Sequence, residues 1–233
     1  MHASDTFSRR NALTLLAVTV AGGVLITRSA FAQAVSQTAL ITGADVCVIT
    51  PEVTEGPYYF DPRLDRADIT EGRPGLPTTV RLQVVDSACK PLPGARVDIW
   101  HADASGIYSG YRGQPGNIST EGETFMRGTQ FADANGIVAF RTVYPGWYPG
   151  RTTHIHFKVL LDQASVLTGQ IFFPDEVSEQ VYATVAPYNQ RSARRDTTNQ
   201  NDRIAQQATA ASVAGIDVAA DGYLAQLIIG VGR

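Results

Sequence analysis

The chain predicts an all-β fold: a single β-sandwich domain of about seven or eight strands with long loops, following an N-terminal export signal. Three observations carry this. Apolar and polar residues alternate in short runs between Gly, Pro and Asn turns, the period of half-buried strands. The 233 residues are 44% hydrophobic and 18% charged, enough for one substantial core with no need of a second. No repeat, low-complexity tract or composition shift divides residues 47–233. Lys and Arg number 19 against 22 Asp and Glu, a formal charge of −3, so no basic stripe points to a nucleic-acid partner.

Residues 1–32 stand outside the expected domain. Ser8-Arg9-Arg10 precedes an apolar run from Ala12 to Ile26, and Ala30-Phe31-Ala32 offers a small-x-small cleavage site. That is the pattern of a twin-arginine export signal, which predicts a periplasmic or secreted protein. The run of about 15 residues reaches about 22 Å as a helix, short of the roughly 30 Å apolar core of a bilayer, so cleavage is favoured over a stable membrane anchor. Residues 33–46 read as a loose leader. Cys47 and Cys89 are the two cysteines of the chain. In an exported protein an even pair predicts a disulfide, with two free buried thiols as the alternative. Closing a loop of about 42 residues contributes roughly 4 kcal/mol in the chain-entropy model.

The elements follow in order. Thr54-Glu-Gly-Pro-Tyr-Tyr-Phe60 is too rich in Gly, Pro and aromatics for a regular element, and is either an arm over the domain or a loop. Val80–Val85 alternates as a strand, Lys90–Gly94 is a turn, and Arg96–Trp100 is the next strand. It runs out into His101-Ala-Asp-Ala-Ser-Gly-Ile-Tyr108, a loop at a strand end, where functional groups often gather. Residues 109–128 form a polar excursion. Asp133-Ala-Asn-Gly136 predicts a type I′ hairpin turn into the strand Ile137–Val143. Val166–Phe173 reads as a strand broken at Gly169, Asp175–Ala183 as a short helix, and 189–203 as a long polar loop. Ala208–Ala220 has helical propensity, and Tyr223–Val231 is the last strand.

The chemistry concentrates in Tyr144-Pro-Gly-Trp-Tyr-Pro-Gly-Arg-Thr-Thr-His-Ile-His-Phe157. In a strand, His154 and His156 point to one face while Ile155, Phe157 and Val159 point to the other, into a core. Two Pro-Gly turns hold Tyr148 a few residues away. Neutral imidazole is a common metal ligand, and a phenolate oxygen is a hard ligand suited to ferric iron. A His-x-His pair alone is more often exposed or hydrogen-bonded; its company makes this stretch a candidate iron site.

These pieces together resemble the intradiol ring-cleavage dioxygenases, especially the catalytic domain of protocatechuate 3,4-dioxygenase and its secreted single-domain relatives. The matching stretches are Thr54–Tyr59, Asp98–Tyr108, Arg127-Gly128, Asp133–Gly136, Pro145–Tyr148, Arg151–His156 and Gln170–Pro174, all in order. The resemblance implies a non-haem Fe(3+) held by Tyr108, Tyr148, His154 and His156, with Tyr111 a nearby competitor for Tyr108. It implies Arg151 as catalytic arginine, Tyr148 as the ligand that leaves, and Gln170 as an active-site amide. Pro57 and Tyr58 fall where the family's arm borders the substrate. The implied reaction inserts O2 between the two hydroxylated carbons of a small aromatic diol and yields a cis,cis-muconate-type diacid, with no reductant. Ferric iron, two tyrosinates and one hydroxide sum to zero charge, and a catechol dianion replacing hydroxide and one tyrosinate keeps it there.

His101 reads as a structural group and Trp100 as core. The chain lacks room for the helical N-terminal dimerisation region of catechol 1,2-dioxygenases, and it stands alone where protocatechuate 3,4-dioxygenase pairs two chains, which leaves an oligomer open. Catechol, hydroxyquinol, protocatechuate and plant polyphenols are all candidate substrates. The alternatives are a non-catalytic secreted β-sandwich binding module that retains the fold and, among enzymes, a zinc hydrolase, to whose usual ligand sets two tyrosinates are a poor match.

Overall fold

Alternation along the chain becomes two four-stranded sheets in a computed structural model, which describes residues 40, 41, 47–61 and 63–232. The strands are β1 (Pro77–Val85), β2 (Arg96–Trp100), β3 (Arg127–Phe131), β4 (Ile137–Val143), β5 (His154–Leu161), β6 (Ala164–Phe172), β7 (Gly215–Ala219) and β8 (Gly222–Gly230). One sheet has the order β4-β1-β8-β7 and the other β3-β2-β5-β6. All pairings are antiparallel except β1 with β8. The expected β-sandwich is therefore the observed one. The export signal at 1–32 lies outside the described residues, as does most of the leader at 33–46. Within that leader Leu40 is buried and the Ile41 amide donates to Gln83 Oε1 at 2.9 Å, so these two residues are packed rather than loose.

The core follows from side-chain alternation. Val80, Leu82 and Val84 of β1, Phe140 of β4 and Leu227 and Ile229 of β8 meet Val97 and Ile99 of β2, Ile155, Phe157 and Val159 of β5, and Ile171 of β6. Each such burial contributes about 1.5–3 kcal/mol. The alternate residues of the second sheet face outward, and one rung of it reads Arg127, Trp100, His156, Gln170 across four strands. Disulfide-bonded Cys47 and Cys89 tie the start of the arm to the turn after β1.

Four local expectations change. β3 begins inside the polar excursion 109–128; its sequence Arg-Gly-Thr-Gln-Phe has no apolar alternation, and its first residue is an arginine buried on the outer face beneath the arm. Asp133–Gly136 is not a type I′ hairpin, because Gly136 alone has positive φ (74°) and the turn passes the chain from one sheet to the other. Asp133 Oδ1 instead accepts from the amides of Asn135 and Ile137. β6 runs unbroken through Gly169, which lies under the Phe157 ring. Ala208–Ala220 holds only the end of α2 (Arg203–Ala208), a 3-10 turn and β7. The exposed alternation of β7 (Gly-Ile-Asp-Val-Ala) carries little pattern, and pairing with β8 decides it. The short helix is found as α1 (Asp175–Thr184). Among the described residues no helix is long and apolar enough to cross a membrane.

Candidate metal centre

Four side-chain tips meet above the outer face of the second sheet. His154 Nε2 lies 3.1 Å from His156 Nε2, 3.2 Å from the Tyr148 hydroxyl and 3.3 Å from the Tyr108 hydroxyl. Tyr111 does not join them: its hydroxyl donates to the Tyr59 carbonyl at 3.1 Å.

Each side chain arrives by a local cause. His154 and His156 share a face because they are two apart on β5. Tyr148 and Arg151 end one tight turn, with Pro149 second, Gly150 third at φ 79° and the Arg151 amide donating to the Tyr148 carbonyl at 3.2 Å. This is a type II arrangement, and it needs glycine there. Tyr182 of α1 clasps the ends of that loop, donating to Pro145 O at 2.8 Å and lying 2.6 Å from Thr153 Oγ1. Tyr108 sits at the end of a loop wound on Asp103, whose Oδ1 accepts from the amides of Ser105 and Ile107. The Gly146 amide donates to the Asp103 carbonyl, so the loops carrying the two tyrosines are pinned together.

The arm Thr54–Phe60 covers the centre. It crosses the His156 ring at Gly56, and Tyr58 stacks on Tyr108 with centroids 4.4 Å apart and planes at 19°. Pro57 is exposed at the rim. Gln170 donates to the Thr54 carbonyl at 2.9 Å and accepts from Arg151 Nη2 at 2.5 Å, so it links arm to arginine.

Burial sets the protonation. It pushes His154 down to about 3, helped by the Arg151 charge, and holds His156 well below its usual value. Both imidazoles are neutral. His154 Nδ1 lies 2.7 Å from the Thr152 carbonyl, which fixes the proton on Nδ1 and leaves Nε2 as a bare lone pair. Burial also raises the Tyr108 phenol well above 10 and raises Tyr148 less strongly. Tyr108 is 1% exposed, whereas Tyr148 is partly open to solvent.

This arrangement fits a cation. The bare His154 Nε2 faces His156 Nε2 at 3.1 Å, and His156 Nδ1 is buried with no partner. Donor atoms 3.1–3.3 Å apart have the spacing of ligands sharing one ion at bonds of about 2 Å. Among the described residues no three His, Cys, Asp or Glu gather as such a group; here two phenols complete the set.

Sequence reasoning missed two supporting residues. Arg127, 1% exposed, donates to the carbonyls of Tyr58 and Ser109 and to Ser109 Oγ, joining the arm to the residue after Tyr108. Asp202, 2% exposed, accepts from Arg151 Nε at 2.8 Å and from the Thr152 amide at 2.9 Å. Its signal was an acidic residue at the N-cap of α2, where its other oxygen takes the amides of Ile204 and Ala205.

A β-sandwich with two imidazoles on its outer sheet face and two phenols from adjoining loops, all meeting at one point, is the class that fold and site define. A family model described as dioxygenase matches residues 54–213. The structure is similar to an intradiol ring-cleavage dioxygenase from Tetranychus urticae, 37% identical, with a TM-score of 0.74 over 80% of this chain and 95% of that one. It is also similar to the dioxygenase domain of a dioxygenase carbohydrate-binding protein fusion from Streptomyces sp. SirexAA-E, 31% identical, TM-score 0.60, covering 79% and 99%. Catechol 1,2-dioxygenase of Acinetobacter baylyi is 31% identical over 146 residues, 52% of this chain and 45% of that protein. The chain thus spans about half the length of the curated relatives it matches. It belongs to the intradiol ring-cleavage dioxygenase family.

Proposed function

We propose that this protein is an exported, ferric-iron-dependent intradiol dioxygenase that cleaves a small aromatic diol between its hydroxylated carbons, using O2, to a cis,cis-muconate-type diacid. The observation that carries the reading is the convergence of Tyr108, Tyr148 and His156 on His154 Nε2 with Arg151 Nη1 3.4 Å from the same atom. Both atoms of O2 end in the diacid, so no reductant is consumed. Fe(3+) held by Tyr108, Tyr148, His154 and His156 would supply the Lewis acidity that keeps phenols ionised near neutral pH and draws electron density from the bound diol.

The chain's own groups do the rest. Tyr148 is the less buried phenol, so its hydroxyl oxygen is the one placed to accept a proton from an incoming diol. Tyr108, clamped under Tyr58, stays. Arg151 keeps a permanent positive charge beside the reacting pole, where it stabilises negative charge developing on substrate oxygen. Gln170 holds the arm closed over His156 and limits water there. Two phenols in the ligand set favour ferric iron over a zinc hydrolase.

The proposal includes export: residues 1–32 removed as a twin-arginine signal, 33–46 a leader, and 47–233 the catalytic domain. N-terminal sequencing of protein recovered from the periplasm or medium should begin after Ala32. Oxygen uptake across catechol, hydroxyquinol and protocatechuate, with product mass, tests the activity. One O2 consumed per diol and a product heavier by both oxygen atoms is the expected result. A protein that is colourless after ferric loading and consumes no oxygen would instead be a binding module.

A further inference from the structure

We infer that Asp202 is a positioning residue for this reaction, setting Arg151. The inference rests on the proposed function for its catalytic consequence but on geometry for the coupling. One carboxylate oxygen takes both Arg151 Nε (2.8 Å) and the Thr152 amide (2.9 Å); the other caps α2 through Ile204 and Ala205. The carbonyl of the same Thr152 receives His154 Nδ1 at 2.7 Å. A single buried anion thus registers a loop some 50 residues away against the charge and the imidazole that border the centre.

The arginine needs this tether. Its other side-chain partners border the centre itself: Gln170 Oε1, the Tyr148 phenol and the weak approach of Nη1 to His154 Nε2 at 3.4 Å. On its far side lies a cavity of about 710 Å³ lined by Gly150, Asn201, Arg203, Gln206 and Gln207. A guanidinium released from Asp202 has room to turn into that space, away from the pole where negative charge develops. Buried pairing of this kind fixes orientation more than it adds stability.

Two variants separate positioning from folding. Asp202→Ser keeps a good N-cap but is too short and uncharged to hold Arg151, and Asp202→Asn offers one carbonyl oxygen for the two sides the carboxylate serves. Both should still unfold cooperatively, several degrees below wild type because the Thr152 amide and Arg151 lose a buried acceptor, and should load as much iron, since Asp202 bonds none of the four ligand tips. Their kcat/KM should fall about 10- to 100-fold, the usual loss for a hydrogen bond to a charged group. In an Arg151→Gln background the same substitutions should cost almost nothing further. In metal-free protein, the Arg151 Nε–H resonance, assigned by its absence in Arg151→Gln, should be slowly exchanging and should vanish in both Asp202 variants. Additive losses across the two backgrounds, or an Nε–H signal unmoved by Asp202→Ser, would overturn the inference. A wild-type protein that oxidises no diol would overturn the catalytic reading alone, because the metal-free NMR measurement decides the coupling without iron or substrate.

Discussion

The indole of Trp100 lies flat against the imidazole of His156, centroids 4.9 Å apart and planes at 10°, because the two residues are register partners on β2 and β5. With His156 Nδ1 unpartnered, this stack and the arm are what orient the ring. Trp100 Nε1 is itself a buried donor without a partner. Trp100→Phe keeps a ring face and removes that orphan, so it should cost under about 2 kcal/mol and leave iron bound. Trp100→Ala should cost about 3–5 kcal/mol and speed iron loss to a chelator. Urea titration with metal analysis reads both; equal iron retention in the two variants would contradict the orienting role.

The tyrosines divide by what their hydroxyls touch. Tyr108→Phe removes a tip 3.3 Å from His154 Nε2 and should weaken the phenolate-to-iron colour and iron retention together. Tyr111→Phe removes only a bond to the Tyr59 carbonyl, at a cost of about 1 kcal/mol, and should leave the colour intact. Visible spectra of the two ferric variants compare them; the reverse order would exchange their roles.

His101 supplies a pH dependence away from the ligands. It is fully buried, with Nδ1 2.8 Å from the Ala102 carbonyl and Nε2 2.7 Å from Thr142 Oγ1, and burial pushes its pKa from 6.5 down to about 4. Because the folded value lies below the unfolded one, the unfolded chain binds the proton more readily between pH 6.5 and 4. Its contribution is therefore fully present above about pH 6.5 and is lost as pH falls toward 4, by roughly 3 kcal/mol. Urea midpoints at pH 7, 5.5 and 4.5 should show this slope, and His101→Asn should flatten it while lowering stability at pH 7.

Gly169 has no room for a side chain. A Cβ there would meet Phe157 Cζ at 2.3 Å and Cε1 at 2.5 Å in the closed core. Gly169→Ala should destabilise by about 1–3 kcal/mol through overpacking. Phe157→Leu should relieve part of that, seen as a favourable coupling in a double-mutant cycle of unfolding free energies. Simple additivity would mean the strand shifts instead.

Local pattern carried much of this protein. β1, β2, β4, β5 and β8 follow from alternation within a few residues, as does the shared face of His154 and His156, since both depend only on the two-residue repeat of an extended chain. β3 escaped because nothing in Arg-Gly-Thr-Gln-Phe alternates, and β7 because the brief alternation of Gly-Ile-Asp-Val-Ala is exposed and buries no face; neighbouring strands impose their form. β3 also buries Arg127, which is satisfied by Tyr58 and Ser109, partners 69 and 18 residues distant.

By itself, then, the sequence determined the sandwich class, the paired histidines and the Pro-Gly turn that sets Tyr148 beside Arg151, because each is a short-range property of backbone dihedrals and side-chain period. The family resemblance named Tyr108 ahead of Tyr111, but only the tertiary structure shows which hydroxyl turns to the histidines, and only it decided that Asp202 grips Arg151. Those choices depend on which loops pack against one another, and the free energy of such contacts belongs to residues far apart in the chain.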